Sequence, residues 1–195
     1  MAAQRRSSER YDIDSLTDVA LGVFAQKGYD GASMDDVARA ARITKASIYH
    51  HVPGKEALLD RGLGRALDAL FAVLEEPGGS NGRAIDRLRH IVRRVAEVTL
   101  QSLPELSVLV RVRGNSPTEV RAMDRRRRFD RVVADLMREA IREGDVRKDV
   151  DPRVMTRLIF GMSNSVVEWF RPGRDVSAGQ LVENIVGFAM RAVGV

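Results

Sequence analysis

The chain has 195 residues, of which 44% are hydrophobic and 30% charged, with 32 Lys/Arg against 27 Asp/Glu and a formal net charge of +5. That length and balance fit one domain, or one domain with a small appendage, and exclude a disordered tail. The absence of cysteine excludes disulfide frameworks, cysteine nucleophiles and thiolate zinc sites and fits a cytoplasmic location; no stretch nears the roughly 18 apolar residues of a membrane span.

Residues 1–10 are basic and polar with no apolar segment behind them, so a flexible arm is expected there and a secretory signal is not. Helical periodicity then recurs to the C-terminus, and no segment alternates with period two. Ile13, Leu16, Ala20, Val23 and Phe24 mark the first helix, with Gly28 as its stop. Ser33 with Asp36 is a capping signal for a short helix carrying Met34, Val37, Ala38 and Ala41. Thr44 caps a third short helix with Ile48 and Tyr49, and Pro53-Gly54 breaks the chain.

From Lys55 a long amphipathic helix runs through Leu59, Leu63, Leu67, Leu70 and Phe71 to Leu74. A loop is predicted at residues 77–82, where Pro, Gly and Ser cluster. Ile85 to Val95, then Leu106 to Val110, mark two more helices, and Phe129 to Ile141 a further long one ending near Gly144. Asp151-Pro152 and Ser177 cap the last two helices. Both are apolar on more than one face and so need covering on two sides. A dimer formed through these two helices satisfies that, as does a central place in one core. The expectation is an all-α protein of about nine helices: an N-terminal three-helix domain over residues 1–55 and a helical domain over residues 56–195.

The charge is unevenly placed. Residues 1–60 hold eight basic and nine acidic residues, and residues 61–195 hold 24 and 18, so the first part is net −1 and the second +6. Yet no acidic residue falls between Arg42 and Lys55. Two short helices joined by a tight turn form a helix-turn-helix, whose second helix presents short polar side chains to the major groove. Thr44, Lys45, Ala46 and Ser47 suit that task, and the helix N-terminus adds partial positive charge for phosphate. His50-His51 is not a metal pair, because adjacent helical residues do not face each other and no third ligand lies near.

The stretch from Gly28 to Ala38, Gly-Tyr-Asp-Gly-Ala-Ser-Met-Asp-Asp-Val-Ala, resembles the end of helix 1 and helix 2 of the tetracycline-repressor (TetR) family of transcriptional regulators. Ala41 to Leu58 continues the likeness, with Tyr49-His50-His51 and Lys55-Glu56-Ala57-Leu58 as landmarks. The resemblance implies a DNA-binding N-terminal domain, a helical effector-binding and dimerisation domain, and a repressor released from a palindromic operator by a small molecule. It implies DNA-facing roles for Ser33, Thr44, Lys45, Ala46, Ser47, Tyr49, His50, His51 and Lys55, and Arg42, at the turn, offers a further phosphate contact. Ser33, Thr44 and Lys55 would hold phosphates, and Lys45, Ser47, Tyr49 and His50 would read bases. Two positions depart from the family pattern. Arg42 stands where glycine is usual, at a turn suited to positive φ, and Val52 replaces a common phenylalanine.

In the second part, Arg125-Arg126-Arg127-Arg128 exceeds one helical turn, so the four cannot share a face. The apolar stripe Phe129, Val132, Val133, Leu136 projects back onto Arg125 and Arg126 and leaves Arg127 and Arg128 outward. Pairs of Asp124 with Arg128 and Asp130 with Arg126 would make this a solvated helix. Alternatively Arg125 or Arg126 holds an anionic effector group through its forked donors; the resemblance, through relatives with a similar C-terminal pattern that respond to acyl-CoA thioesters, implies one such effector. Arg111, Arg113, Asn164 and Trp169 are further effector-pocket candidates. No cofactor, metal or membrane partner is expected. A constitutive DNA binder without effector control and a helical enzyme are the competing functions; the chain has neither a glycine-rich phosphate loop nor a spaced nucleophile, base and acid.

Overall fold

The computed structural model describes residues 12–174 and 176–194; the arm expected at residues 1–10 lies outside the described residues. Among the described residues ten helices follow one another: α1 (Ile13–Lys27), α2 (Met34–Ala41), α3 (Lys45–Tyr49), α4 (Lys55–Glu75), α5 (Pro77–Ser80), α6 (Ala84–Gln101), α7 (Leu103–Arg111), α8 (Pro117–Glu143), α9 (Pro152–Trp169) and α10 (Ala178–Val193). Among the described residues there is no strand, only one isolated antiparallel bridge between Val146 and Gly194. None of these helices is long and apolar enough to cross a membrane.

The caps expected from local sequence are present. Asp151 accepts the N–H groups of Arg153 and Val154, and Ser177 accepts that of Gln180; Asp12, for which no cap was expected, also accepts the Ser15 N–H. Gly28 and Gly144 end α1 and α8 at φ 76° and 85°, where a side chain would be strained. The tenth helix is α5, in the segment predicted as a loop. Pro77 sits in its first turn, where a missing N–H costs nothing. The Gly79 and Ser80 N–H groups reach the Glu76 carbonyl at 2.8 and 2.9 Å. A Cβ at Gly79 would lie 2.3 Å from the Val73 carbonyl oxygen, so only glycine fits this turn. Helix α8 begins at Pro117, well before the apolar stripe at Phe129 from which it was predicted.

The chain divides into two compact units, one of residues up to Ala66 with Pro104–Ala122, the other of Leu67–Leu103 with Met123–Val195. In the first, Leu16, Leu21 and Phe24 of α1, Val37 of α2, Ile48 of α3 and Leu58, Leu59 and Leu63 of α4 form the buried core. Val52 is buried among them despite its smaller size. Helix α4 approaches α1 so closely that a Cβ on Gly62 would lie 2.5–2.9 Å from the Leu21 side chain.

In the second unit, α6 packs against α9 and α10. Phe71, Phe129 and Phe160 form a run of ring contacts, 5.6 Å between the first two centroids and 5.5 Å between the next two. The last two helices bury Ile159, Phe160, Val166 and Val167 of α9 and Leu181, Val182, Ile185 and Val186 of α10. Their second apolar faces stay uncovered within the chain. Val154, Leu158 and Trp169 on α9 are 53%, 61% and 47% exposed, and Phe188 on α10 is 61% exposed. Val154, Leu158 and Trp169 lie four and eleven residues apart, near whole helical turns, and so share one stripe.

Candidate nucleic-acid interface

The interface is built from two caps and one turn. Ser33 closes a capping box at the start of α2: its hydroxyl accepts the Asp36 N–H at 3.1 Å, and the Asp36 carboxylate accepts the Ser33 N–H at 3.1 Å. Lys27 and Arg39 add charged donors to the same carboxylate at 2.6 and 2.9 Å. The hydrogen bond from Lys27, followed by those from Ser33, holds the Asp36 carboxyl well below the usual carboxylate range. A depressed folded-state value means that the stabilisation is fully present above the unfolded value of about 3.9 and is lost as pH falls through the folded one. We expect Asp36→Asn to narrow the difference in melting temperature between pH 7 and pH 3; an unchanged difference would remove Asp36 from the acid response.

The turn is set by Arg42, at φ 56° and ψ 37°, the one described non-glycine residue with positive φ. Its N–H caps α2 by bonding to Ala38 and Arg39 carbonyls. The left-handed turn expected of glycine is therefore kept, at a cost of about 1–2 kcal/mol for a residue with a Cβ. The Arg42 side chain is exposed.

Thr44 then caps α3 by accepting the Ser47 N–H at 3.1 Å, and the two hydroxyls lie 2.7 Å apart. With five residues, α3 has little helical stability of its own. It is fixed by Ile48, which is 0% exposed. The other side chains of the segment face out: Thr44, Lys45, Ala46, Tyr49, His50 and His51 are exposed and Ser47 is half-buried. The Tyr49 ring is 49% exposed, so it is only partly core. His50 closes the helix with its N–H on the Ala46 carbonyl. No metal-binding group of His, Asp or Glu side chains occurs among the described residues.

Two charges have partners that the sequence did not reveal. Lys45 donates to Asp35 of α2 at 2.9 Å, an exposed pair that contributes little to stability. Lys55 donates to the carbonyls of Tyr29 and Ala32 at 3.0 and 3.1 Å, with its ammonium 4.5 Å from the Tyr29 ring centroid. Burial raises the pKa of that tyrosine. Lys55 thus braces the loop that leads into Ser33. Lys55→Ala is expected to destabilise the protein by about 1–2 kcal/mol, since charged hydrogen bonds contribute more than neutral ones and partial exposure reduces them. Urea denaturation checks this. Tyr29 could have been found from the family-like Gly-Tyr-Asp-Gly run, but its partner is 26 residues away.

The effector candidates are distributed over both units. In the first, Arg111 and Arg113 line a cleft of ≈ 270 Å³ with Phe24, Tyr29, Leu59 and Val108, and Arg111 donates to the Ala25 carbonyl at 2.6 Å. In the second, Arg125 and Arg126 are half-buried while Arg127 and Arg128 are exposed, as the apolar stripe projected. Arg125 pairs with Asp68 at 2.6 Å and lies 5.6 Å from the Phe71 ring centroid. Asp124 pairs with Arg127 at 3.1 Å rather than with the expected Arg128, because the three-residue spacing brings Arg127 within reach. Asn164 is half-buried, and the exposed Trp169 donates its Nε1–H to the Ser165 hydroxyl at 3.4 Å.

Comparison with known proteins agrees with this architecture. Residues 16–61 match the profile of bacterial regulatory proteins of the tetR family, and residues 81–193 match that of the tetracyclin repressor-like C-terminal domain. The crystal structure of SCO3833, a member of the TetR transcriptional regulator family from Streptomyces coelicolor A3, is similar with 49% identity and a TM-score of 0.84, over 90% of this chain and 89% of that one. The HTH-type transcriptional repressor KstR2 of Mycobacterium tuberculosis is 25% identical over 181 residues, 91% of this chain and 90% of its own. AibR, crystallised in complex with isovaleryl coenzyme A and operator DNA, shares the fold with a TM-score of 0.78 and 23% identity, over 90% of this chain and 96% of its own. The chain belongs to the tetR family of bacterial regulatory proteins, which are DNA-binding transcriptional regulators and not enzymes.

Proposed function

We propose that the protein is a ligand-responsive repressor that acts in the cytoplasm and binds a palindromic operator as a homodimer. Residues 1–55 form the DNA-binding domain, and residues 56–195 the effector-binding and dimerisation domain. The observation that carries the reading is α3: a short helix fixed by one buried side chain, Ile48, with its polar residues turned outward in a window free of acidic residues from Arg42 to Lys55. Lys45, Ser47, Tyr49 and His50 read base edges in the major groove, and Ser33, Arg42, Thr44 and His51 contact the backbone beside them, with Ala46 against a base or sugar. Lys55 reaches phosphate while bracing the loop before α2.

Among the described residues Asp35 is the one carboxylate paired with a reading residue. Asp35→Ala frees Lys45 and removes a charge that repels phosphate, so operator affinity is expected to rise several-fold at low salt, with the gain shrinking as salt is added. Weaker binding in a gel-shift titration would show that the Asp35–Lys45 pair positions the lysine instead.

The homodimer reading is supported by the uncovered stripe of α9 and Phe188 of α10, which a second copy covers isologously. The effector is an anionic or lipophilic metabolite such as an acyl-CoA thioester, held by Arg125 and Arg126 or at the Arg111 cleft, with Asn164 and Trp169 as further contributors. The isovaleryl coenzyme A bound by AibR, whose fold this chain shares, supports that class. The test is release of the purified protein from its operator against a panel containing acyl-CoAs and lipophilic compounds. Release by one class, lost in an Arg125→Ala/Arg126→Ala variant that still binds DNA, is expected. Operator binding insensitive to the whole panel would favour a constitutive DNA binder.

A further inference from the structure

Half of the second unit's arginines pair with a carboxylate among the described residues, Arg83, Arg87, Arg93, Arg94, Arg138 and Arg147 within 3.5 Å. One cleft gathers three of the others with a fourth arginine between two helices. It has a volume of ≈ 260 Å³ and is lined by Arg127, Asp130, Arg131 and Ala134 of α8 and by Arg153 and Arg157 of α9. Phe129 and Phe160 hold the two helices together beside it. Arg127 pairs with Asp124, outside the cleft. Arg131, Arg153 and Arg157 have no ion-pair partner within 4 Å among the described residues.

The arrangement opposes ordinary helix stability. Arg127 and Arg131 stand at i and i+4 on one helix, and Arg153 and Arg157 at i and i+4 on the other, so each pair repels along its own helix. Four guanidinium groups face a space with one carboxylate, Asp130. Burial raises the pKa of that carboxyl although Arg126 and Arg157 pull it down. With Asp130 ionised the lining residues carry a surplus of three positive charges, of which Asp124 offsets part from outside the cleft through its exposed pair with Arg127. A single carboxylate cannot neutralise it, and one phosphomonoester brings only about −1.5 to −2. Two linked phosphoryl groups match it in charge, and their oxygens suit forked guanidinium donors arriving from two helices.

We propose that the Arg127–Arg131–Arg153–Arg157 cleft is a binding site for a diphosphate group, such as the phosphorylated end of a nucleotide-bearing metabolite. The site is distinct from Arg125 and Arg126 and stands whether or not those two residues hold the effector. Two other occupants are weaker on these observations. A second copy of the chain would approach along the neighbouring Val154 and Leu158, which are apolar, and DNA needs a chain of spaced phosphate contacts rather than a pocket with a carboxylate inside it.

The test is calorimetric titration of the full chain at low salt with inorganic pyrophosphate, ADP, inorganic phosphate and acetate. Pyrophosphate and ADP should bind once per chain, more tightly than phosphate, and acetate should not register. Arg131→Ala/Arg157→Ala should weaken pyrophosphate about tenfold or more, Arg131→Lys/Arg157→Lys should fall between because it keeps charge and loses the fork, and Arg89→Ala, at an exposed position of α6, should change nothing. Thermal melts and operator gel shifts of the same variants should match those of the original chain, which separates failure of this site from failure of the DNA-binding reading. No pyrophosphate binding, or binding unchanged in the double alanine variant, overturns the proposal. So does loss of operator affinity, or of the dimer, in that variant without any anion binding, since the cleft would then belong to DNA or to the second copy.

Discussion

Leu158→Glu is expected to split the dimer and to lower operator affinity by about two to four orders of magnitude. Leu158 is 61% exposed in the single chain, so a charge there costs the fold little. In a symmetric dimer the same change places two carboxylates in the centre of the apolar contact made by Val154, Trp169 and Phe188. The operator effect follows from linkage. Two half-sites bound by tethered subunits gain an effective concentration that separate subunits do not have. Sedimentation and gel shift on one sample should therefore move together. A monomer that still binds the palindrome with full affinity would break the link between dimer and operator; a dimer unaffected by the charge would move the interface elsewhere.

Ile48→Ala should remove DNA binding by a different route. Removing a fully buried isoleucine costs about 2–5 kcal/mol, from lost burial and from the cavity left behind. Folded domains have only about 5–15 kcal/mol in total. The loss falls on the one buried residue of a five-residue helix, so α3 should detach before the rest of the unit unfolds. Hydrogen exchange should show lost protection from Thr44 to Val52, with operator binding gone. Tyr49→Ala is the contrast: a half-exposed ring, truncated, should lower affinity while leaving the urea midpoint nearly unchanged. Equal stability losses in the two variants would mean that Tyr49, not Ile48 alone, anchors the helix.

These expectations mix what one strand of sequence can show with what it cannot. The Ser33–Asp36 box and the Thr44, Asp151 and Ser177 caps are local, each reaching two or three residues along the chain, and spacing alone located them. The inward placement of Arg125 and Arg126 also followed from one helical stripe. Lys55 on the Tyr29 and Ala32 carbonyls, Arg125 on Asp68 and Lys45 on Asp35 join segments brought together only by folding. The α5 turn depended on the backbone closeness of Val73 to Gly79, which no propensity encodes. The arginine cleft was invisible for the same reason. Arg153 and Arg157 meet Arg127 and Arg131 only where α9 is laid beside α8.

Arg42 ties the two kinds of information together. Its identity departs from the glycine of the family pattern, yet its backbone keeps the left-handed turn that sets α3 on α2. The chain therefore bears a local strain of about 1–2 kcal/mol and presents a guanidinium at the edge of the acid-free window.

The central claim, a symmetric dimer reading two half-sites through α3, is tested most directly by footprinting the full-length protein on a selected operator, with the stoichiometry measured on the same complex. The account predicts two chains per site and two protected major grooves centred about 34–36 Å apart, one helical turn, on a pseudo-palindrome, with protection lost on Lys45→Ala/Tyr49→Ala. One chain per site, or protection that spreads without sequence preference and survives that double substitution, would contradict it.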